Sequence, residues 1–201
     1  NELRVLSPTA ILGYGFPVTS FAEGMRRKPH VIAVDAGSTD PGPYYLGAGV
    51  SFTDRNAVKR DLEIMISAAL EEGIPVIIGS AGGSGAAPHL QWNVEIIREI
   101  AAEKNLEFTL AVIPADVPKE TVARKLTDGK IKPLHPAPEL TQEELEQTTV
   151  IVGQMGMEPF IKALDSGAQV IVAARAYDPA VFAALAVKNG FDRGLAIHMG
   201  K

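Results

Sequence analysis

Cysteine is absent from all 201 residues, which rules out disulfides, thiolate metal sites and a cysteine nucleophile within this stretch. Positive charge is thin and dispersed: 19 Lys and Arg stand against 24 Asp and Glu, leaving a net charge of -5. With no basic tract, neither nucleic acid nor an anionic membrane is the expected partner. No apolar run approaches the roughly 20 residues that a membrane-spanning helix needs, and Asn1–Ser7 lacks the pattern of a signal peptide. No two histidines stand at a metal-ligand spacing, so no metal site is assigned. What is present is ordinary for a globular chain, 46% hydrophobic and 21% charged. The expectation is one cytoplasmic, enzyme-like α/β domain over residues 1–201.

Short apolar, β-branched runs recur at Leu3–Leu6, Val31–Val34, Pro75–Ile78, Phe108–Ile113, Thr149–Val152, Gln169–Ala173 and Leu195–Ile197. They are nearly continuous in hydrophobicity, as strands buried on both faces should be. Helical patterns lie between them. In Asn56–Glu72 the residues Val58, Leu62, Met65, Ile66 and Ala69 form one stripe, bounded by Asp54 or Asn56 as N-cap and by Gly73. A second helix is predicted over Gly85–Asn105, and weaker ones over Thr19–Arg27, Pro118–Thr127, Thr141–Gln147, Met157–Ser166 and Asp178–Asn189. Such alternation predicts a Rossmann-like three-layer sandwich with a mostly parallel sheet. The closing "GLAIHMGK" reads as a strand that begins and stops, as though the residues were the N-terminal part of a longer chain.

Ligands of open parallel sheets bind outside the carboxyl ends of the strands, and there this sequence concentrates its unusual residues. "VDAGSTDPGP" supplies Asp35, Ser38, Thr39 and Asp40. These residues suit orientation of a substrate hydroxyl, oxygen ligation of Mg²⁺, or proton transfer; a plain turn closed by Asp and Ser is the bland alternative. "GSAGGSGAAPHL" supplies Ser80, Gly82, Gly83, Ser84 and Gly85 at the mouth of a long helix. Exposed amides and the helix dipole there favour a phosphate or carboxylate, unless the glycines only let elements pack closely. The loop matches neither common nucleotide fingerprint, so no cofactor is named. His89, in the first turn of that helix, is a candidate proton shuttle or a packing residue. Gln154, at another strand-to-helix turn, is a candidate substrate contact. "AARAYDP" offers Arg175 as a bidentate anion clamp and Asp178 as an acid–base group or helix cap.

"VDAGST" is similar to the first phosphate-binding motif of the actin, heat-shock chaperone and sugar-kinase ATPases, in which the turn joins two antiparallel strands; that resemblance implies ATP-dependent phosphotransfer. A broader one joins "VIAVDAGSTDPGP", "IPVIIGSAGGSGAAPHL", "VGQMGMEPFIKALDSGAQVIVAARAYDPAVFAALAVKNGF" and "GLAIHMGK", which together resemble the acyclic terpene utilisation A family. It implies a place in the catabolism of branched acyl-CoA compounds, small dicarboxylates or amino acids, and transfers no catalytic residues. The leading expectation is a lyase- or hydratase-like enzyme acting on a small carboxylate or its CoA ester. In it Asp35, His89 and Asp178 move protons, and the glycine loop and Arg175 hold anionic groups. The alternative is a non-catalytic binding or assembly subunit that needs a partner subunit or a second copy of itself.

Overall fold

The computed structural model describes residues 2–201. Its strands are β1 (Val5–Leu6), β2 (Val31–Asp35), β3 (Val76–Gly79), β4 (Leu110–Ile113) and β5 (Val170–Ala173). They form one five-stranded sheet in the order β1-β2-β3-β5-β4, and every neighbouring pair is parallel. VIAVD, VIIG and VIVA are buried at every position, because helices lie on both sides and leave no solvent face to mark with polar residues.

The helices are α1 (Val18–Arg26), α2 (Tyr44–Ala48), α3 (Arg55–Glu72), α4 (Ala87–Lys104), α5 (Lys119–Thr127), α6 (Gln142–Gln147), α7 (Glu158–Asp165), α8 (Ala180–Lys188) and α9 (Arg193–Gly200). Residues of α1, α3 and α4 pack against Ile32, Val34, Val76, Ile78, Val170 and Val172 on one face of the sheet. Residues of α7, α8 and α9 pack against Val31, Ala33, Ile77, Ile171 and Ala173 on the other. Strand periodicity of two residues divides each apolar run between the two layers. Among the described residues, no helix is long and apolar enough to cross a membrane.

The architecture is the three-layer α/β arrangement the alternation predicts, with a different strand order. A dinucleotide-binding Rossmann sheet starts in the middle, in the order 3-2-1-4-5-6. Here the chain starts at one edge and reverses direction only between β4 and β5. The helix after β3 therefore lies on one face and the helix after β5 on the other, so the topological switch falls between these two neighbours.

Helix boundaries follow local chemistry. Asp54 accepts the Ala57 N–H at 3.0 Å to start α3, and Gly73 ends it in the left-handed conformation, with Ile74 N–H reaching back to Ala69 O at 3.0 Å. Two expected strands are corrected. Thr149–Val152 is not a sheet strand, since the segment lies beyond the end of β4. There it makes a short antiparallel contact, Val117 N–H to Ile151 O at 2.9 Å and Gly153 N–H to Ala115 O at 2.8 Å. Leu195–Ile197 is helical, within α9: Asp192 accepts the Leu195 N–H at 2.8 Å, and Ala196 is buried in the layer formed by α8. An N-cap three residues upstream outweighed a short apolar run. The predicted helix at Gly85 begins at Ala87 instead, and α2 is an element the sequence reading did not contain.

Candidate functional site at the carboxyl ends of β2, β3 and β5

Asp35 and Gly79 are register partners at the ends of β2 and β3. Beyond β3, Ser80 N–H donates to Ala174 O at 3.0 Å, and Arg175 N–H donates to Gly85 O at 3.1 Å. The chain after β2 crosses above: a Cβ on Gly37 would lie 2.0 Å from Gly83 O and 2.8 Å from an Arg175 terminal nitrogen. The oxygen-rich turn, the glycine bend and the arginine thus share one edge of the sheet, at the topological switch.

Two ionisable groups are buried there. Asp35 is 7% exposed, and its carboxyl is pushed up to about 6. Burial is the main cause and the nearby charge of Asp178 adds to it, while the Gly37 N–H, Arg175 and the Ser80 hydroxyl act in the opposite sense. Arg175 is 6% exposed; burial pulls its guanidinium below the usual arginine range, against the opposing charges of Asp35 and Asp178. Its terminal NH2 group donates to Gly83 O at 3.2 Å, and its buried Nε has no hydrogen-bond partner. A guanidinium has five N–H donors, so a buried one with so few acceptors is left with unused donor capacity.

Asp35 and Asp178 line a cleft of about 830 Å³. Its polar contributors include Ser7 and Thr9 beyond β1, and its apolar walls include Leu3, Phe182, Phe191 and Leu195. Asp178 is exposed, directly ahead of Pro179 at the start of α8. Gln154 is exposed as well, its amide 3.5 Å from Ala176 O. Among the described residues, no group of three or more His, Cys, Asp and Glu is placed to hold a metal ion.

Other expected site residues are placed differently. The glycine loop is folded inward and is not an open anion cradle. A Cβ on Gly82 would meet His89 at 2.6 Å, one on Gly83 would meet the Phe52 ring at 2.5 Å, and one on Gly85 would meet Arg175 N at 2.2 Å. Ser84 is partly exposed, whereas Ser80 is wholly buried. The end of α4 already has its own anion, because Asp116 Oδ1 accepts the Ala87 N–H at 3.2 Å. His89 does not line the cleft. It is buried, and Nε2 lies 3.0 Å from Tyr45 O and 3.1 Å from Val50 O. Carbonyls only accept, so Nε2 carries the proton and pins the loop around α2. Ser38 Oγ accepts the Asp40 N–H at 3.1 Å, and Thr39 O accepts the Gly42 N–H at 3.0 Å; Thr39 and Asp40 side chains are exposed on this turn. The turn follows a strand paired in parallel on both sides, unlike the antiparallel hairpin of the ATPase motif.

Sequence reasoning missed Asp116 and also Asp61. The latter is fully buried on α3, and its Oδ2 accepts the N–H groups of Gly13 and Gly15, each at 3.0 Å. Both acids stand in segments that read as a loop and an amphipathic helix, and their amide partners are 29 and 46 to 48 residues distant. Only the fold brings them together.

The fold and this edge define a three-layer α/β protein with a buried carboxyl at the carboxyl end of its sheet. A sequence model of the family described as acyclic terpene utilisation family protein AtuA matches residues 54–192, and the chain belongs to that family. No curated protein and no solved structure matches it.

Proposed function

We propose that the protein is a catabolic enzyme, lyase- or hydratase-like, whose substrate is a small carboxylate or its CoA ester. The observation that carries this reading is Asp35, a buried carboxyl raised to about 6 at the wall of the cleft. A carboxyl tuned toward neutral pH can take a proton from carbon or oxygen and return it. Asp178, exposed at the same cleft, is the second proton-transfer group. Two carboxyls in unequal environments fit an acid–base division of labour, in which the buried one takes the proton and the exposed one relays it to water. Arg175 supplies positive field behind Asp35 and draws the anionic end of the substrate to this edge of the sheet. The family name is consistent with a role in catabolism.

The test is a panel of small dicarboxylates and CoA thioesters followed by NMR in deuterated water. Solvent deuterium should enter a substrate carbon, or water should add or leave. Asp35→Asn should abolish the exchange while leaving the protein folded. A panel that shows no exchange or hydration with the wild-type chain would remove the enzymatic reading.

A second reading, a binding or assembly subunit, is favoured by the cleft rim. There Leu195 is 54% and Met199 75% exposed, and large apolar side chains gathered at one rim mark contact surfaces. A mass measurement of the chain with and without candidate partner subunits tests that reading.

A further inference from the structure

The cleft that Asp35 lines is short of side-chain hydrogen-bond donors. Its walls are apolar at Leu3, Phe182, Phe191 and Leu195, and its polar side chains are two carboxyls, two small hydroxyls, the Tyr177 phenol and Lys201. Both small hydroxyls direct their protons into their own loop: Thr9 Oγ1 donates to Ile11 O at 3.2 Å, and Ser7 Oγ donates to Thr9 O at 3.4 Å. What Ser7 and Thr9 offer a ligand is therefore oxygen lone pairs.

The carboxyls are acceptors as well. Asp35, 7% exposed, takes the Gly37 N–H on Oδ1 over 3.3 Å, long beside the usual N–H···O distance of about 2.9–3.0 Å. An ionised carboxyl has about four lone-pair sites, so this buried one keeps accepting capacity where it meets the cleft. Asp178 stands exposed on the same cleft. Cations do not balance the pair. Arg175 is not part of the wall, and its terminal NH2 group is turned to Gly83 O at 3.2 Å. Lys201 is the one cation among the described lining residues, and it is exposed, where water screens its charge. At about 830 Å³, the cleft also has more room than a short diacid fills, near the upper end of the roughly 300–1,000 Å³ of small-molecule sites.

We propose that this cleft binds an uncharged, hydroxyl-bearing hydrocarbon chain, with the hydroxyl donating to the Asp35 carboxylate and the chain lying along Phe182, Phe191 and Leu195, and that it turns away the same chain ending in a carboxylate. Attraction comes from matching a donor to an unfilled acceptor and an apolar chain to an apolar wall. Rejection comes from like charge: a carboxylate would leave water to meet Asp35 and Asp178 and gain no donor in return. A hydroxyl on a carbon chain is also the group that a hydratase adds and a dehydrating lyase removes as water. This rests on the reading of Asp35 as the acid–base group, and of the two substrate forms named there it selects the neutral ester over the free acid.

The experiment follows the methyl resonances of Leu195 and Met199 by carbon–proton NMR in the whole 201-residue chain. Three probes of one chain length are titrated at pH 8, above the Asp35 value of about 6: 1-octanol, octyl methyl ether and sodium octanoate. Octanol should shift both methyls saturably. Octanoate should bind about tenfold more weakly, since like charges brought together are costly. The ether, which accepts but cannot donate, should also bind several-fold more weakly than octanol. Asp178→Asn should strengthen octanoate and leave octanol unchanged. Octanoate binding as tightly as octanol, an ether as good as the alcohol, or no saturable shift with any probe overturns the proposal. Octanol preference without solvent deuterium exchange in any substrate would leave the cleft's selectivity standing and remove the acid–base reading. Exchange on a free carboxylate that binds as well as octanol would do the reverse.

Discussion

The two faces of the sheet are built from different side chains. The face carrying α1, α3 and α4 is filled by long aliphatic residues, among them Leu62, Met65, Ile66, Ile96, Ile97 and Ile100. The face carrying α7, α8 and α9 is rich in alanine: Ala33, Ala163, Ala173, Ala176, Ala180 and Ala184 all belong to it. On the first face, long side chains hold α3 and α4 off the sheet, and charged pairs tie the helices to each other. Lys59 Nζ lies 2.6 Å from Glu99 and 2.8 Å from Glu103, and Lys104 Nζ lies 2.7 Å from Glu63. On the second face, α8 lies so close that a Cβ on Gly79 would meet Val181 at 2.5 Å. Close approach brings the start of α8, with Asp178, to the wall that Asp35 lines. Bulk stabilises one face, and smallness brings Asp178 to the same cleft as Asp35 on the other.

The packing is least tolerant at the seam between β3 and β5. Gly85→Ala puts a methyl 2.2 Å from Arg175 N at a backbone φ of 73°. Nothing flexible can yield there, so a loss of ~3 kcal/mol or more is expected in chemical denaturation. Next come opposite substitutions on the two faces. Leu62→Ala should cost about 3 kcal/mol through the cavity it leaves. Ala184→Leu should cost about 2 kcal/mol through overpacking. If enlargement were tolerated at Ala184 as well as truncation is at an exposed site, the close approach of α8 would be wrong.

The third effect is a pH dependence centred on Asp35. A carboxyl at about 6 when folded, against 3.8 as its ordinary value, binds its proton more tightly in the native state. Stability from this group is therefore present at low pH and falls as pH rises between those two values. Asp35→Asn should flatten the fall and stabilise the protein at pH 7 by on the order of 2 kcal/mol, measured as midpoints at several pH values. The smallest effect sits on the first face. Glu99, held down to about 2 chiefly by its hydrogen bond from Lys59 and then by Arg55, supports the fold above the normal glutamate range and ceases to as pH falls through 2. Glu99→Gln should lower the melting temperature slightly at neutral pH, and added salt should erase the difference.

Much of the layer architecture was legible because strands buried on both faces leave a continuous apolar signature, as in VIAVD and VIVA, and because Gly73 and Asp54 punctuate α3 through local chemistry. Order within the sheet was not legible, since nothing local to β5 states that it inserts between β3 and β4. At the site, Asp35, Arg175 and Asp178 stood out as charges beside apolar strands, and the structure gathers them at one edge. The glycine loop misled for a physical reason: positive φ serves an anion cradle and a close packing seam equally, and only the neighbours decide. Phe52, Arg175 and His89 fill the space beside those glycines. His89 likewise depends on Tyr45 and Val50, which sit 44 and 39 residues away.

The carboxylate of Asp116 at the start of α4 has a consequence for ligand searches. A tethered group at an amide site acts at an effective concentration in the millimolar range or above, so free phosphate must displace an occupant that never diffuses away. Soaks aimed at that helix end should leave it unchanged, whereas Asp116→Ala should convert it into a weak oxyanion receptor.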